Sequence, residues 1–250
     1  MGNTTISAIV IGSVPYSDSS IIVRVYTSDK GMVPLFVRRT KSKSKRNTSA
    51  LWHPLAAINI TDLKRKSPTA LGTFTEVDRA VPANNLLKDP RRSSVAFFIA
   101  EFMDKSIDVD APMEDLFVLL WDTIKLLEFS EEISNLHFYF LARVVDILGL
   151  MPSEIETNSV DLINSLNLTS GEWSSSPPSL TLQSHFLSVK LAQRMRDILG
   201  MEFDNMRSLN LEKHERKELL LGMVMFIQLH HAGLKEIKSY DVLETIFSDE

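Results

Sequence analysis

The sequence predicts an α+β chain, with a small strand-rich module at the N-terminus followed by a helical region that runs to the C-terminus. Three observations carry this expectation. From Thr4 to Asp78 the apolar residues recur with period two, the pattern of half-buried strands. Past Pro82 the period changes to 3.6 and stays there. Charge divides at nearly the same place. Residues 1–90 hold 13 Lys and Arg against 6 Asp and Glu, residues 91–250 the remaining 14 against 26, and a net charge of only −5 conceals the contrast. Two regions so differently charged have different tasks.

At 250 residues and 44% hydrophobic content the chain can bury a substantial core, and two domains are expected, at 1–80 and 81–250. The absence of cysteine excludes disulfides, thiolate metal sites and cysteine nucleophiles. Among the six histidines (His53, His137, His185, His214, His230 and His231) none forms an H-E-x-x-H pair, and the adjacent His230 and His231 would point about 100° apart on a helix. Neither a metal site nor a cofactor is expected. No stretch approaches the roughly 18 apolar residues of a membrane span, and the N-terminus lacks the features of a secretory signal, so a cytoplasmic location is expected.

Five strands follow in order. Ile6, Ala8 and Val10 share one face of the first. Ile21, Val23 and Val25 share one face of the second, across a turn at Tyr16-Ser17-Asp18-Ser19. Asp29-Lys30-Gly31 is a tight turn into a third strand with Val33, Leu35 and Val37. A fourth runs from Leu55 to Thr61, and a fifth carries Leu71, Thr73, Thr75 and Val77. Five short strands with long, charged loops suggest a Greek-key barrel of the OB type, with an SH3-like barrel as the competitor.

Helices follow in turn. Asp89-Pro90 places a capping carboxylate before proline at the first helical position, and Val95, Phe98, Ile99, Phe102 and Ser106 trace the apolar stripe. Pro112 opens a second helix with Leu116, Phe117, Leu120, Ile124 and Leu127 inward. Ser134 caps a third, with Phe140, Leu141, Val144 and Leu148, that Gly149 ends. Residues 153–183 are rich in Ser, Asn and Thr and read as a loop-dominated insertion. Helices near 184–199, 210–231 and 239–247 complete the all-helical domain. Gly200 and Gly233 stand at C-cap positions, and Leu219 to Leu229, apolar nearly all round, is expected to be the central buried helix.

The densest chemical feature is Arg38-Arg39-Thr40-Lys41-Ser42-Lys43-Ser44-Lys45-Arg46, six cations in nine residues without an acid. Hydroxyl spacers leave a phosphate backbone free to approach and can donate to it. Six phosphate contacts on a single strand would give a log–log salt slope of roughly −4. The alternative is a solvated or import-signal segment. A second cluster, Lys64-Arg65-Lys66, lies between the fourth and fifth strands, where it would flank the same face of an OB-type barrel. Arg24 alternates with Val23 and Val25 and so belongs on the outer surface. Trp52, Phe36 and Tyr26 are candidates for base stacking, with core packing as the alternative for each. Arg91 and Arg92 oppose the macrodipole in a helix's first turn, which suggests a ligand and makes them candidate DNA contacts, with pairing to Asp89 or Asp78 as the alternative. No phosphate-loop, dinucleotide or nucleophile-elbow motif is present, so an enzyme is not expected.

Several strings stand in a recognisable order: Tyr16-Ser17-Asp18-Ser19-Ser20 leading to Tyr26-Thr27, then Gly31, Val37-Arg38-Arg39 and Asp89-Pro90-Arg91-Arg92-Ser93-Ser94. The helix from Asn135 to Gly149, Leu229-His230 and Lys238-Ser239 complete the set. Together they resemble the RecO family of bacterial DNA-repair proteins, in the form found in the Bacteroidetes. The resemblance implies an OB domain on a helical domain and the activity of a recombination mediator. Such a protein binds single- and double-stranded DNA, anneals complementary strands and, with RecR, loads RecA onto DNA coated by single-stranded DNA-binding protein. It also implies that Arg38, Arg39, Lys41, Lys43, Lys45, Arg46 and Lys64 to Lys66 contact DNA. The helical half would take the tail of single-stranded DNA-binding protein, for which Phe186, Val189, Lys190, Arg194 and Arg196 are candidates, an ordinary amphipathic helix being the alternative. Many members carry a four-cysteine zinc module near 153–183, and this chain has no ligand for one. Two other classes remain: a nucleic-acid-binding module of RNA metabolism, and a scaffold whose basic segment grips an acidic protein.

Overall fold

The computed structural model describes residues 4–38, 48–67, 70–106, 112–153, 165–174, 186–206, 209–231 and 237–247. Alternating apolar residues produce β1 (Thr5–Ser17), β2 (Ser20–Thr27), β3 (Gly31–Arg38) and β4 (Ala57–Thr61), with a short β5 (Glu76–Arg79). They pair antiparallel in the order β3-β2-β1-β4-β5. One face is the core: Ala8, Val10, Val23, Val25, Val33, Leu35, Ile58 and Ile60 are fully buried, joined by Ile21, Val37, Trp52 and Ala56. Each of these valine, leucine and isoleucine side chains contributes roughly 1.5–3 kcal/mol of burial.

The first turn is tighter than the sequence suggests. Ser17 pairs directly with Ser20, so Tyr16 lies in β1 and only Asp18 and Ser19 form the loop. A register shift between Val10 and Gly12 changes which residues of β1 face inward. Val10 pairs with Val25 before it, whereas Ser13 pairs with Val23 after it. Even-numbered side chains therefore pass from the inner face to the outer one, the ordinary effect of a bulge.

The sheet is open, which corrects the expectation of a closed barrel. The fifth strand, expected to carry Leu71, Thr73, Thr75 and Val77, is shorter: ahead of it the Ala70 N–H donates to the Ser67 carbonyl, Thr73 pairs with Lys64 at an isolated bridge, and only Glu76–Arg79 forms a strand. The far edge is met at one point. The N–H of Gly72 donates to the Pro34 carbonyl at 2.7 Å, and the N–H of Phe36 donates to the Gly72 carbonyl at 3.1 Å. A Cβ at position 72 would lie 2.9 Å from Leu35 Cδ2 and 3.1 Å from Leu63 Cδ1, so glycine is what permits the approach.

The chain divides into two compact units, Met1–Glu131 and Glu132–Glu250. In the first, α1 (Asn84–Lys88), α2 (Pro90–Ser106) and α3 (Glu114–Phe129) accompany the sheet. The α2 stripe of Val95, Phe98, Ile99 and Phe102 is fully buried, and α2 packs on β1, burying Ile9 and Ile11 on the outer face. Asp89 caps α2 as its sequence predicts, accepting the Arg91 N–H at 2.9 Å. Glu128, buried near the end of α3, receives the N–H groups of Asn84, Asn85 and Leu86 at 3.0–3.2 Å. A carboxylate thus satisfies the orphan donors that open α1.

In the second unit, α4 (Leu136–Ile147), α5 (Val189–Gly200), the short α6 (Phe203–Met206), α7 (Lys213–His230) and α8 (Tyr240–Phe247) pack together. Gly149 follows α4 at φ 66°, as a C-cap requires, whereas Gly200 closes α5 without entering that region and Gly233 lies outside the described residues. Leu219, Leu220, Met223, Val224, Phe226 and Ile227 of α7 are buried, the central position their pattern predicts. The described part of the loop-dominated stretch holds two strands that sequence alone does not signal. β6 (Ser165–Asn167) pairs with β7 (Glu172–Ser174) and with β8 (Phe186–Leu187), in the order β7-β6-β8. Strands of two or three residues are too short for alternation to register.

Candidate nucleic-acid interface

The outer face of the β1–β2–β3 sheet is covered unevenly. Toward the β2–β3 turn, Tyr26 is fully buried, with its ring 6.4 Å from that of Phe117 on α3. Its hydroxyl accepts the Met113 N–H at 3.1 Å and donates to the Met113 carbonyl at 3.4 Å. Burial pushes the Tyr26 phenol above its ordinary pKa, the backbone hydrogen bond opposing. Arg24 is on this face, as its alternation predicts, and forms an ion pair with Asp104 of α2. Both side chains are 37% exposed, so water screens the pair. Beside it opens a groove of about 330 Å³ lined by Val14, Ile22, Arg24, Phe97 and Lys105, among others.

Past this groove the outer face is more exposed. Val14, paired with Ile22, is 55% exposed, and Tyr16 is 62% exposed. The Tyr16 ring meets that of half-buried Phe36 edge-on, with centroids 5.9 Å apart and planes at 89°. Arg38, exposed at the end of β3, places its guanidinium carbon 6.0 Å from the Phe36 ring centre. The structure thus brings together Phe36 and Arg38 with Tyr16, which the turn-like string Tyr16-Ser17-Asp18-Ser19 disguises. Its position two residues beyond Val14, in a strand longer than the turn signal implies, is the clue to its place.

The remaining candidates separate. Arg39, Lys41, Lys43, Lys45 and Arg46 lie outside the described residues. Lys64 and Lys66 are exposed, and Arg65 Nε donates to the Ala70 carbonyl at 3.1 Å. Among the described residues no carboxylate pairs with Arg38, Lys64 or Lys66. Trp52 is 8% exposed and packs in the core with its ring 6.1 Å from Phe74, so its face cannot receive a base. Tyr26, enclosed as described, cannot either.

Arg91 and Arg92 part company. Arg91 is half-exposed and pairs with Asp89. Arg92 is buried: Nη1 donates to the Leu127 carbonyl at 2.6 Å, Nη2 donates to the Ser130 carbonyl at 2.8 Å, and Nε lies 3.3 Å from Asp89. It closes the C-terminal turn of α3 and cannot reach a phosphate, which corrects its assignment as a DNA contact. Burial raises the Asp89 pKa, but the Arg91 N–H and the two guanidinium groups outweigh it and hold the carboxyl below its ordinary value.

In the helical unit, Phe186 is half-buried on β8 and Val189 is 42% exposed at the start of α5. Lys190 does not present a free cation. Its Nζ lies 2.5 Å from buried Glu215 and 3.9 Å from Glu212, the two residues that form the capping box of α7. Hydrogen bonding between the pair raises the Lys190 pKa and lowers that of Glu215. Arg194 and Arg196 are half-buried. Two residues apart on a helix, they point about 200° from one another, so the four α5 positions do not line one groove.

The two halves of the chain match two models of one family. Residues 1–80 match "Recombination protein O N terminal" and residues 87–240 match "Recombination protein O C terminal". The chain belongs to the recombination protein O family. Curated relatives carry the name "DNA repair protein RecO". That of Flavobacterium johnsoniae is 29% identical over 242 residues, covering 96% of this chain and 98% of that protein. That of Bacteroides fragilis is 29% identical over 240 residues, covering 96% and 97%. That of Porphyromonas gingivalis is 25% identical over 245 residues, again 96% and 97%. The resemblance to the Bacteroidetes form of RecO is therefore shown over 96% of the chain, as is an OB-like N-terminal module followed by a helical region. Among the described residues no helix is long and apolar enough to cross a membrane.

Proposed function

We propose that this protein is a DNA-repair and recombination mediator. It binds single- and double-stranded DNA, anneals complementary strands and, with RecR, promotes RecA loading onto DNA coated by single-stranded DNA-binding protein. It acts by binding rather than covalent chemistry, in the bacterial cytoplasm at the nucleoid. Membership of the RecO family over both halves of the chain is the observation that carries this reading. Supporting it are the exposed cations Arg38, Lys64 and Lys66 on the N-terminal module and the basic segment that continues from Arg38 through Arg46. Within the proposal, Arg38, Arg39, Lys41, Lys43, Lys45, Arg46 and Lys64 to Lys66 neutralise the backbones of two strands, lowering their repulsion so that bases can meet. Arg24 and Arg91, each already paired with an aspartate, contribute at the margin. Residues 81–250, acidic in sum, serve the protein partners, among them the tail of single-stranded DNA-binding protein.

The test is fluorescence anisotropy of labelled single-stranded DNA against salt, for the wild type and for a variant with Lys41, Lys43, Lys45 and Arg46 changed to Glu. The variant should bind more weakly, with a log–log slope shallower by roughly 3, at about 0.7 per lost contact. Equal affinity and slope would remove the basic segment from the site. The wild type should also speed pairing of complementary strands. A clear preference for RNA without faster annealing would point to a module of RNA metabolism instead.

A further inference from the structure

The more exposed part of the outer face carries a combination that the cationic residues alone do not explain. Tyr16 is 62% exposed on a strand, and Val14 beside it 55%, so water meets a contiguous apolar surface formed with Ile22 and Phe36. Apolar side chains that adjoin one another in this way are suited to contact with a flat apolar ligand group. Its rim carries a cation: Arg38 stands over the Phe36 ring.

We propose that Tyr16 and Phe36 form a stacking platform for one base of single-stranded DNA, with Arg38 holding a neighbouring phosphate. The proposal rests on the DNA-binding reading above and deepens it. The edge-on contact at 89° braces the Tyr16 ring from one side and leaves the rest of it to solvent, so a base can stack with little ordering cost. Phe36 is half-buried and fixes the position of both Tyr16 and Arg38. An apolar face with a cation at its rim complements a strand whose flat bases alternate with phosphates. A duplex keeps its bases stacked on one another, so the platform favours single strands. A purely apolar peptide would make no use of Arg38, and an acidic one would find only a single described cation beside the rings.

The experiment compares Tyr16→Ala, Tyr16→Phe and Tyr16→Trp with the wild type. Tyr16 is exposed, so the variants keep the fold, and circular dichroism verifies it. Each protein is titrated with an oligonucleotide, with the same strand carrying abasic sites, and with its duplex. Tyr16→Ala should weaken single-strand binding about 5- to 100-fold and leave the salt slope and duplex affinity unchanged. Tyr16→Phe and Tyr16→Trp should bind like the wild type. Abasic substitution should weaken the wild type but not further weaken Tyr16→Ala, and 2-aminopurine in the strand should be quenched by the wild type, Tyr16→Phe and Tyr16→Trp but not by Tyr16→Ala. If the wild type binds DNA and Tyr16→Ala binds it equally well, the platform is wrong and the DNA-binding reading stands. If Tyr16→Phe loses as much as Tyr16→Ala, the hydroxyl rather than the ring is at work, which overturns stacking. If the wild type binds no DNA, both fail.

Discussion

Arg92 and Arg91 stand side by side in the sequence and do different work. Removing the Arg92 guanidinium would strip the carbonyls of Leu127 and Ser130 of their donor at a buried helix end. Arg92→Ala is therefore expected to lower stability by about 2–4 kcal/mol in urea denaturation, with unchanged DNA affinity for the fraction that folds. The sequence does announce the cap, since Asp-Pro before a helical stripe has few other meanings, and Asp89 fulfils it. It does not announce the fate of Arg92. Its partners are backbone carbonyls 35 and 38 residues away, and no side-chain pattern marks them. Trp52 was ambiguous for the same reason. A tryptophan near a basic segment suits a base or a core equally well, and only the packing with Phe74 decides. Tyr16, by contrast, is concealed by turn chemistry on one side and a bulge on the other.

At the level of elements, period two identified the first four strands and their inward residues, because alternation records which side of a strand is dry, whereas Leu71, given to the fifth, is exposed outside it. It could not distinguish an open sheet from a barrel, since both present the same alternation. Closure depends on where the β4–β5 connection travels, and that is set by its turn at Ser67–Ala70 and by the space at Gly72. That space is small: Leu35 is fully buried and Leu63 half-buried, so neither yields easily. Gly72→Val should cost about 1–3 kcal/mol, measured as a lower urea midpoint with little change in m-value. In the helical unit, 3.6-residue periodicity located α4 and α7 well, whereas β6, β7 and β8 were invisible because they are shorter than the period-two signal needs.

For the molecule as a whole, charge is divided unequally between the N-terminal and the C-terminal region, and acid sensitivity adds a second property. His137 is fully buried between the rings of Phe138 and Phe247, and burial, with the nearby Arg216 charge, pushes its pKa well below the ordinary 6.5. Half-buried His53 is shifted the same way, by burial first and the Arg79 charge last, against the opposing Pro54 carbonyl. Above pH 6.5 these groups are neutral whether the chain is folded or not, and they add no pH dependence. As pH falls below that value the unfolded chain takes up protons that the folded one refuses, and stability declines. Each group tends to about 1.4 kcal/mol per pH unit within its window. Thermal midpoints recorded from pH 8 to pH 5 should fall on the acid side, and His137→Gln should flatten the part that belongs to the helical unit.

The residues at the end of α3 have a consequence for how the first unit comes apart. Glu128 closes the beginning of α1, while the neighbouring carbonyls of Leu127 and Ser130 receive the guanidinium from the first turn of α2. One short stretch of backbone is thus the hub at which three helix ends are tied, and none of them can fray without orphaning polar atoms in another. Local opening is thereby converted into a shared event. The three helices are expected to melt as one cooperative segment, so hydrogen exchange should release their amides together rather than helix by helix.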